Sequence, residues 1–421
     1  MKETNVIEKV YDPGRLNTAW QQVRKNAGAA GIDHMSVKDF EKRIKELAPK
    51  ITRKLKEGSY RFKPARRAFI PKEGSGKTRP LGIPVVMDRI VSVSINMVFE
   101  ELFAPDFTES NYGFRKGRSQ HMAIDHVQQY IREGRRWCVS IDLKSFFDEI
   151  PHDLILKLIR RKVSDERLLT LIARALKAGV IEEGEFKKTT KGCPQGSPLS
   201  PMLSNMVLNE LDHELERRGL KYCRWADDFV ILVKSERAAK RILEAVTGFL
   251  EEKLKLPVNL EKSKAVKITD LTFLGFSFSY YGKVKISDKA IKKFKDKVRS
   301  LTHRNNPFSM FQVIKRLNSY LRGWINYFRI QEFSSILEKF DRWIRIRLRS
   351  MQLRKWKKPR RFQTMLIRAG FHPNEAAKVW VKMKRWHSAK RFAVQYVLNL
   401  EWFRNIGLVF LDDFTSDSLK S

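Results

Sequence analysis

The sequence is poor in the residues and patterns that several classes of protein require. Its 421 residues include only three cysteines, Cys138, Cys193 and Cys223, and no CxxC pair, which argues against a disulfide framework and a zinc ribbon. The eight histidines show no HExxH spacing. No apolar run approaches the roughly 18 residues of a membrane span, and residues 1–10 lack an apolar signal core. These absences predict a protein of a reducing, cytoplasmic compartment that does not enter a membrane.

Acidic residues are scarce relative to basic ones. The chain carries 84 Lys and Arg against 47 Asp and Glu, a formal net charge of +37. A polyanionic partner, most simply a nucleic acid, makes such self-repulsion tolerable, whereas the alternative is only a highly soluble surface. The excess is greatest from residue 281 onward, where 33 basic residues face 10 acidic ones. Its densest stretch, residues 342–361, interleaves ten basic residues with tryptophans and aliphatic residues, which suits phosphate contact and base stacking.

Changes of pattern divide the chain into four predicted parts. Residues 1–60 have helical periodicity, interrupted by a glycine- and alanine-rich turn at 26–33. Residues 61–285 mix strands with helices and open with a basic β-hairpin. Residues 286–350 and 351–421 are again helical, with Lys and Arg opposite the apolar positions. The sequence thus predicts a mixed α/β (α+β) part followed by basic helical regions.

Three aspartates occupy positions that suit a metal site. Asp227 and Asp228 separate the apolar runs 222–225 and 229–233, so two buried strands would hold their carboxylates at a tight hairpin turn. Asp142 directly follows another strand-like run. Hard cations take oxygen ligands, and a pair of them can clamp a phosphoryl group during in-line displacement. The alternative is an ordinary hairpin with solvated turn aspartates.

The order of the motifs along the chain is more specific than any one of them. The motifs are NAGAAGID (26–33), IPKEGSGKTRPLGIP (70–84), YGFRKGRS (112–119), DLKSFFDEIPH (142–152), PQGSPLSP (194–201), RWADDFVI (224–231), NLEKSK (259–264), FLGF (273–276) and GWINYF (323–328). Together they resemble those of group II intron-encoded reverse transcriptases, also called maturases, over nearly the whole chain. Two positions depart from that family's pattern, since Trp225 replaces the usual tyrosine and Ser197 the usual second glycine.

The resemblance implies a right-hand polymerase fold. Residues 61–285 would form the fingers and palm and residues 1–60 an N-terminal extension. Residues 286–350 would form a helical thumb or maturase region, and residues 351–421 a small helical DNA-binding region. No set of Cys and His ligands for an HNH-type endonuclease follows residue 351, so the resemblance is to endonuclease-lacking bacterial members of the group.

The resemblance also implies roles for individual residues. It implies that Asp142, Asp227 and Asp228 hold two Mg²⁺ ions, with Mn²⁺ as a substitute. The other implied contacts are Lys72 and Arg79 with the triphosphate, Phe147 with the incoming sugar, Gln195 with the nascent base pair, Lys262 with the leaving pyrophosphate, and Arg115, Arg118, Gly196 and Trp225 with template or primer. Each cation has the alternative of an ordinary surface residue, and one of Phe146 and Phe147 is expected in the core.

The expected function is RNA-directed DNA synthesis from deoxynucleotides, together with binding of group II intron RNA to promote splicing and mobility. The partners would be an RNA template, the intron RNA and a DNA primer or target, in a bacterial cytoplasm and associated with the nucleoid or a ribonucleoprotein. Two alternatives stay open. One is a freestanding relative that serves DNA repair or defence, and the other an RNA-binding splicing cofactor without polymerase activity. Retention of all three aspartates argues against the second.

Overall fold

The computed structural model describes residues 2–71, 78–193, 195–333, 335–356, 359–381 and 386–414. The chain forms two compact units. The first comprises Met1–Leu274 and Tyr280–Gly282, and the second Gly275–Ser279 and Lys283–Ser421. Within the described ranges, no helix is both long enough and apolar enough to cross a membrane. The three cysteines are buried and free.

The first unit combines α-helices with short β-strands. Its helices are α1 (Val6–Tyr11), α2 (Pro13–Asn26), α3 (Val37–Lys42), α4 (Ile44–Lys56), α5 (Val86–Phe103), α6 (Gln120–Arg132), α7 (Phe146–Glu149), α8 (His152–Lys162), α9 (Glu166–Leu176), α10 (Ser200–Arg217) and α11 (Glu236–Gly248). Its strands are β1 (Ala65–Pro71), β2 (Thr78–Ile83), β3 (Trp137–Ile141), β4 (Val180–Glu182), β5 (Glu185–Lys187), β6 (Lys221–Trp225), β7 (Asp228–Val233), β8 (Lys264–Lys267) and β9 (Thr272–Phe273). A π-helical turn (Phe249–Lys253) extends α11.

Local sequence explains where helix α2 begins. Asp12 caps α2, because its side chain accepts a hydrogen bond from the backbone N of Arg15 at 2.8 Å. Pro13 follows in the first turn, where a backbone N–H is not needed. The predicted helical character of residues 1–60 is confirmed over their described part. The segment 26–33 starts at the last residue of α2 and forms the first part of the connection to α3.

A four-stranded antiparallel sheet in the order β6-β7-β3-β8 lies at the centre of the first unit. Helices α6, α10 and α11 pack against it. Val139 and Ile141 of β3 and Phe229 and Ile231 of β7 are all fully buried. These four residues lie on one face of the sheet, and Cys138, Val230 and Leu232 on the opposite face are buried as well, so both faces of the two strands are covered. The sheet is therefore a rigid support for whatever follows its strand ends.

A second sheet, in the order β2-β1-β4-β5, contains the predicted basic hairpin. β1 and β2 pair antiparallel, from Arg66 opposite Ile83 to Pro71 opposite Thr78, which confirms the hairpin. Lys72, in the segment that connects the two strands, lies outside the described residues.

The second unit is helical after a short hairpin. Its strands are β10 (Phe276–Phe278) and β11 (Val284–Ile286), and its helices are α12 (Asp288–Leu301), α13 (Met310–Phe328), α14 (Ser335–Lys355), α15 (Pro359–Arg368), α16 (Pro373–Val381), α17 (Phe392–Val397) and α18 (Leu400–Asn405). The ring centroid of Phe294 lies 4.3 Å from that of Trp324 and 4.7 Å from that of Phe340, so aromatic side chains join α12, α13 and α14. The predicted helical character is confirmed. Helix α14 runs without a break across the predicted boundary between residues 350 and 351. The division of the chain into four parts stays a prediction.

Candidate active site

The register of the central sheet brings the three predicted carboxylates to one end. Ile141 of β3 pairs with Phe229 of β7, so the residues that come next at that end are Asp142 and Asp228. Asp227 lies in the turn that precedes β7. Strand pairing thus joins motifs that are far apart along the chain.

The turn that carries the two adjacent aspartates is tight. Trp225 pairs with Asp228, which leaves only Ala226 and Asp227 to reverse the chain. Ala226 has a φ of +57°, a conformation that costs energy for a residue with a Cβ atom. Gly113 lies against this turn, and a Cβ atom on it would stand 2.1 Å from the backbone N of Ala226. The close approach therefore requires glycine at position 113.

Arg224, next to the turn, is fully buried and forms an ion pair with Asp212 of α10, which is buried as well. Its Nε donates to the two Asp212 carboxylate oxygens at 2.8 and 3.0 Å. Its Nη1 donates to Oδ1 of Asn205 and to the carbonyl oxygen of Ala226, each at 3.0 Å. Asn205 in turn donates to the carbonyl oxygen of Gly113 at 2.8 Å. This network ties α10 and the Gly113 segment to the aspartate turn.

Burial and repulsion between like charges raise the pKa values of both carboxyls of the pair. Burial raises the pKa of Asp227, the charge of Asp142 adds to the shift, and the charge of Arg79 opposes it. The pKa of Asp228 is raised by burial and by the charges of Asp227 and Asp142. Carboxylates that repel one another in this way favour a bound cation.

Lys262 brings a positive charge to Asp142. Its Nζ lies 3.2 Å from Oδ2 of Asp142, and water reaches both side chains. The backbone N of Asp142 donates to the Ser263 hydroxyl at 3.1 Å, and the backbone N of Asn259 donates to the carbonyl oxygen of Asp142 at 2.8 Å. The NLEKSK segment is therefore fixed beside the strand end. The predicted contact of Lys262 with a pyrophosphate stays a prediction.

The three carboxylates do not form a closed ligand set. Among the described residues, no three His, Cys, Asp or Glu side chains are grouped closely enough to hold a metal ion. Asp142 is paired with Lys262 instead. The donor chemistry nevertheless fits a hard divalent cation, since all three side chains offer carboxylate oxygens and two of them have raised pKa values. The metal-ligand roles stay predictions.

The predicted Pro-Gln-Gly segment lies against strand β2. The backbone N of Gly82 donates to the carbonyl oxygen of Gln195 at 2.6 Å. Gly196 has a φ of +110°, and a Cβ atom on it would lie 2.5 Å from the carbonyl oxygen of Gly82. Both facts require glycine at position 196. Arg79, on the same strand, is exposed, whereas Pro194 lies outside the described residues.

The two adjacent phenylalanines after Asp142 differ in burial. Phe146 is 3% exposed and belongs to the core, which confirms that one of the pair is a core residue. Phe147 is half-buried, its ring centroid lies 5.3 Å from that of Phe146, and its carbonyl oxygen accepts a hydrogen bond from the backbone N of Cys193 at 2.6 Å. Phe147 therefore lies beside the segment that leads to Gln195, and its contact with a sugar stays a prediction.

The side chains of Arg115 and Arg118 are engaged by their own chain. Arg115 donates to the carbonyl oxygens of Thr108 and Asn111 at 2.6 and 3.0 Å. Arg118 forms an ion pair with Glu109. These bonds hold the loop that contains Gly113. The contact of Arg115 and Arg118 with the template stays a prediction. Trp225, at the end of β6, is half-buried.

Arg224, Asp212 and Asn205 are not among the residues predicted from the sequence. The sequence does contain a signal for them. Arg224 is a charged residue inside an apolar strand, and Asn205 and Asp212 are polar residues seven positions apart on one helix and therefore on the same face.

Comparison with known proteins gives the family. Residues 70–278 match the family described as reverse transcriptase (RNA-dependent DNA polymerase), and residues 291–368 match the maturase-specific domain of group II introns. Protein YkfC of Escherichia coli is 36% identical over 305 residues, which cover 62% of this chain and 80% of that protein. The group II intron-encoded protein LtrA of Lactococcus lactis is 29% identical, over 77% of this chain and 70% of that protein.

Among solved structures, apo telomerase from Candida tropicalis is similar with a TM-score of 0.43 and 13% identity, over 80% of this chain and 65% of that one. This likeness is too distant to support a functional inference. The family matches confirm the predicted fold class, a mixed α/β reverse transcriptase fold of fingers and palm followed by a helical C-terminal region. The chain belongs to the reverse transcriptase family, among the members that carry a group II intron maturase-specific domain.

Proposed function

We propose that this RNA-directed DNA polymerase joins nucleotides at the end of the central sheet, where Asp142, Asp227 and Asp228 lie. The observation that carries the proposal is the strand register, which brings carboxylates from two distant motifs to one accessible edge. Membership in the reverse transcriptase family supplies the class of reaction.

The proposed site holds two Mg²⁺ ions, for which Mn²⁺ can substitute. Bound ions of this kind lower the pKa of a primer 3′-hydroxyl and neutralise a leaving pyrophosphate. Asp142 and Asp227 are the proposed principal ligands, and Asp228 supports them. The protein's own contribution is to hold these carboxylates in place, which the buried Arg224 does through its hydrogen bond to the carbonyl oxygen of Ala226.

Other residues are proposed to position the nucleotide. Lys72 and Arg79 contact the triphosphate, and the electrostatic effect of Arg79 on Asp227 supports its nearness to the site. Phe147 excludes a 2′-hydroxyl from the sugar position. Gln195 borders the nascent base pair. Lys262, whose Nζ lies 3.2 Å from Asp142, either protonates the leaving pyrophosphate or assists it electrostatically.

The template and primer are proposed to lie along the surface that contains the three carboxylates. Gly196 lets the backbone approach the nucleic acid closely, and Trp225 packs against the primer end. For Arg115 and Arg118 we propose an indirect part, because their guanidinium groups are used to hold the Gly113 loop.

A second proposed activity is binding of group II intron RNA to promote splicing and mobility, within a ribonucleoprotein. The match of residues 291–368 to the maturase-specific domain supports it, as does the excess of 33 basic over 10 acidic residues from position 281 onward. The polymerase would then take a DNA primer or target and copy the RNA to which the protein is bound.

The substitution Asp227→Asn separates the two activities. It removes one charged ligand at nearly constant volume, so primer extension on an RNA template should be lost while intron RNA binding and splicing are retained. Exposed Asp125 on α6 provides the matched control, Asp125→Asn, which should retain both activities. Full cDNA synthesis by Asp227→Asn would refute the proposed polymerase site. Loss of RNA binding by this variant would show that polymerisation and RNA binding depend on the same site.

A further inference from the structure

The second unit contains a cavity for which neither proposed activity accounts. Its volume is about 610 Å³, and it lies between the end of α12, the middle of α14 and the 3₁₀ turn Trp386–Lys390. The side chains that matter for its chemistry are Thr302, Arg304, Trp343, Ile346, Arg347 and Lys390. The volume is in the range of about 300–1,000 Å³ in which proteins bind small ligands.

The lining of the cavity is positively charged. Arg304, Arg347 and Lys390 line it, and none of its lining residues in the described part of the chain is Asp or Glu. The guanidinium of Arg347 is held by neutral oxygens, since its Nε donates to the Thr302 hydroxyl at 2.7 Å and its Nη2 to the carbonyl oxygens of Arg299 and Thr302 at 3.3 Å. Burial and the neighbouring charge of Arg299 lower the pKa of Arg347. Since no acidic side chain among the described residues lines the cavity, an anionic ligand would relieve the charge of Arg347.

The same cavity offers a planar apolar surface. Trp343 is half-buried, and the guanidinium carbons of Arg299 and Arg347 lie 5.8 and 5.5 Å from the centre of its ring. Ile346 is also part of the lining. Indole and guanidinium groups are the surfaces on which unpaired bases stack in complexes with single-stranded nucleic acids. A ligand that combines a flat ring with a negative charge therefore matches the cavity in size, shape and charge.

We propose that this cavity binds one unpaired nucleotide of a single-stranded nucleic acid, with its base against Trp343 and its phosphate near Arg304, Arg347 and Lys390. The inference rests on the proposed action of the chain on nucleic acids. This contact would bind a displaced or looped-out nucleotide and would not recognise a duplex. The same chemistry is offered by RNA and by DNA, which the test distinguishes.

The test compares oligonucleotides that differ only in their bases. Binding of fluorescein-labelled rU10, dT10 and an abasic decamer to the full chain is followed by fluorescence anisotropy. Wild-type protein should bind the abasic decamer about 10-fold more weakly than dT10, because stacking on an aromatic residue is lost. Trp343→Leu should bind dT10 about 10-fold more weakly and the abasic decamer as well as wild type does. Tighter binding of rU10 would indicate that the nucleotide belongs to RNA, and tighter binding of dT10 would indicate that it belongs to DNA.

Two exposed cations test the phosphate contact without touching the core. The slope of log K against the logarithm of the salt concentration should be shallower by about 1.4 in the double variant Arg304→Gln, Lys390→Gln. This difference corresponds to the loss of two single-strand phosphate contacts. Lys38→Gln with Lys50→Gln removes the same charge from exposed positions of the first unit and should have a smaller effect. Equal losses in both double variants would overturn the proposal, as would a Trp343→Leu protein that still discriminates against the abasic decamer. Primer extension by the wild-type protein reports separately on the proposed polymerase, so the two failures are distinguishable.

Discussion

Arg224→Met should both destabilise the first unit and slow DNA synthesis, because it leaves Asp212 without a partner in the core. Both residues are fully buried, and the guanidinium donates to Asp212, to Asn205 and to the carbonyl oxygen of Ala226. A buried charge that loses its partner costs about 3–5 kcal/mol in the free energy of unfolding. Loss of the bond to Ala226 also frees the aspartate turn, and a displacement of about 1 Å at a catalytic group can lower the rate about 100-fold.

A double variant, Arg224→Met with Asp212→Leu, separates stability from positioning. Apolar residues of similar volume often replace a buried ion pair with little loss of stability, so urea denaturation should show recovery of most of the lost free energy. The rate of primer extension should stay low, because no donor to the carbonyl oxygen of Ala226 returns. Arg217→Met is the control. Arg217 lies on α10, as Asp212 does, but it is exposed, and its surface ion pair with Glu214 should contribute little to stability.

Two results would refute this reasoning. If Arg224→Met unfolds at the same urea concentration as the wild type, the ion pair does not support the fold. If the double variant regains both the stability and the turnover number of the wild type, the network only fills the core and does not position the aspartates.

Three further predictions concern other parts of the first unit. Phe147→Val should admit ribonucleotides, and competition between a ribonucleotide and the matching deoxynucleotide in primer extension measures it; unchanged sugar discrimination would assign the gate elsewhere. Gly196→Ala should lower activity at least about 10-fold, because a Cβ atom would stand 2.5 Å from the carbonyl oxygen of Gly82; an unimpaired variant would contradict the required close approach. Burial raises the pKa of Asp88 to about 6, above its value of about 4 in an unfolded chain, so the folded state holds the proton more tightly. The free energy of unfolding should therefore fall as pH rises through this window, by at most about 1.4 kcal/mol per pH unit. Asp88→Asn should remove that part of the slope in urea titrations, and an identical slope would refute the assignment.

The hairpin and the strand end could be predicted because local pattern decides them. Two apolar runs around Asp227 and Asp228 leave room only for a short turn, and the apolar run before Asp142 ends at a polar residue. The core position of one phenylalanine also followed from the pattern, although the sequence alone did not distinguish Phe146 from Phe147.

Contacts between distant segments could not be predicted in the same way. The sequence pattern predicts β6 as an apolar strand, and nothing local shows that Arg224 is buried, since its partner Asp212 lies on another element. For the same reason, Arg115 and Arg118 look like free cations in the sequence, whereas the fold supplies each with acceptors. In a chain with 84 basic residues, composition cannot separate cations that bind nucleic acid from those that hold a loop.

Primer extension on a polyriboadenylate template tests the central claim most directly. With an oligodeoxythymidine primer, dTTP and Mg²⁺, the wild-type protein and Asp125→Asn should extend the primer, and Asp142→Asn and Asp227→Asn should not. Addition of EDTA should stop the wild-type reaction. Extension by either of the latter two variants at the wild-type rate would contradict the claim that these carboxylates at the end of the central sheet form the polymerase site.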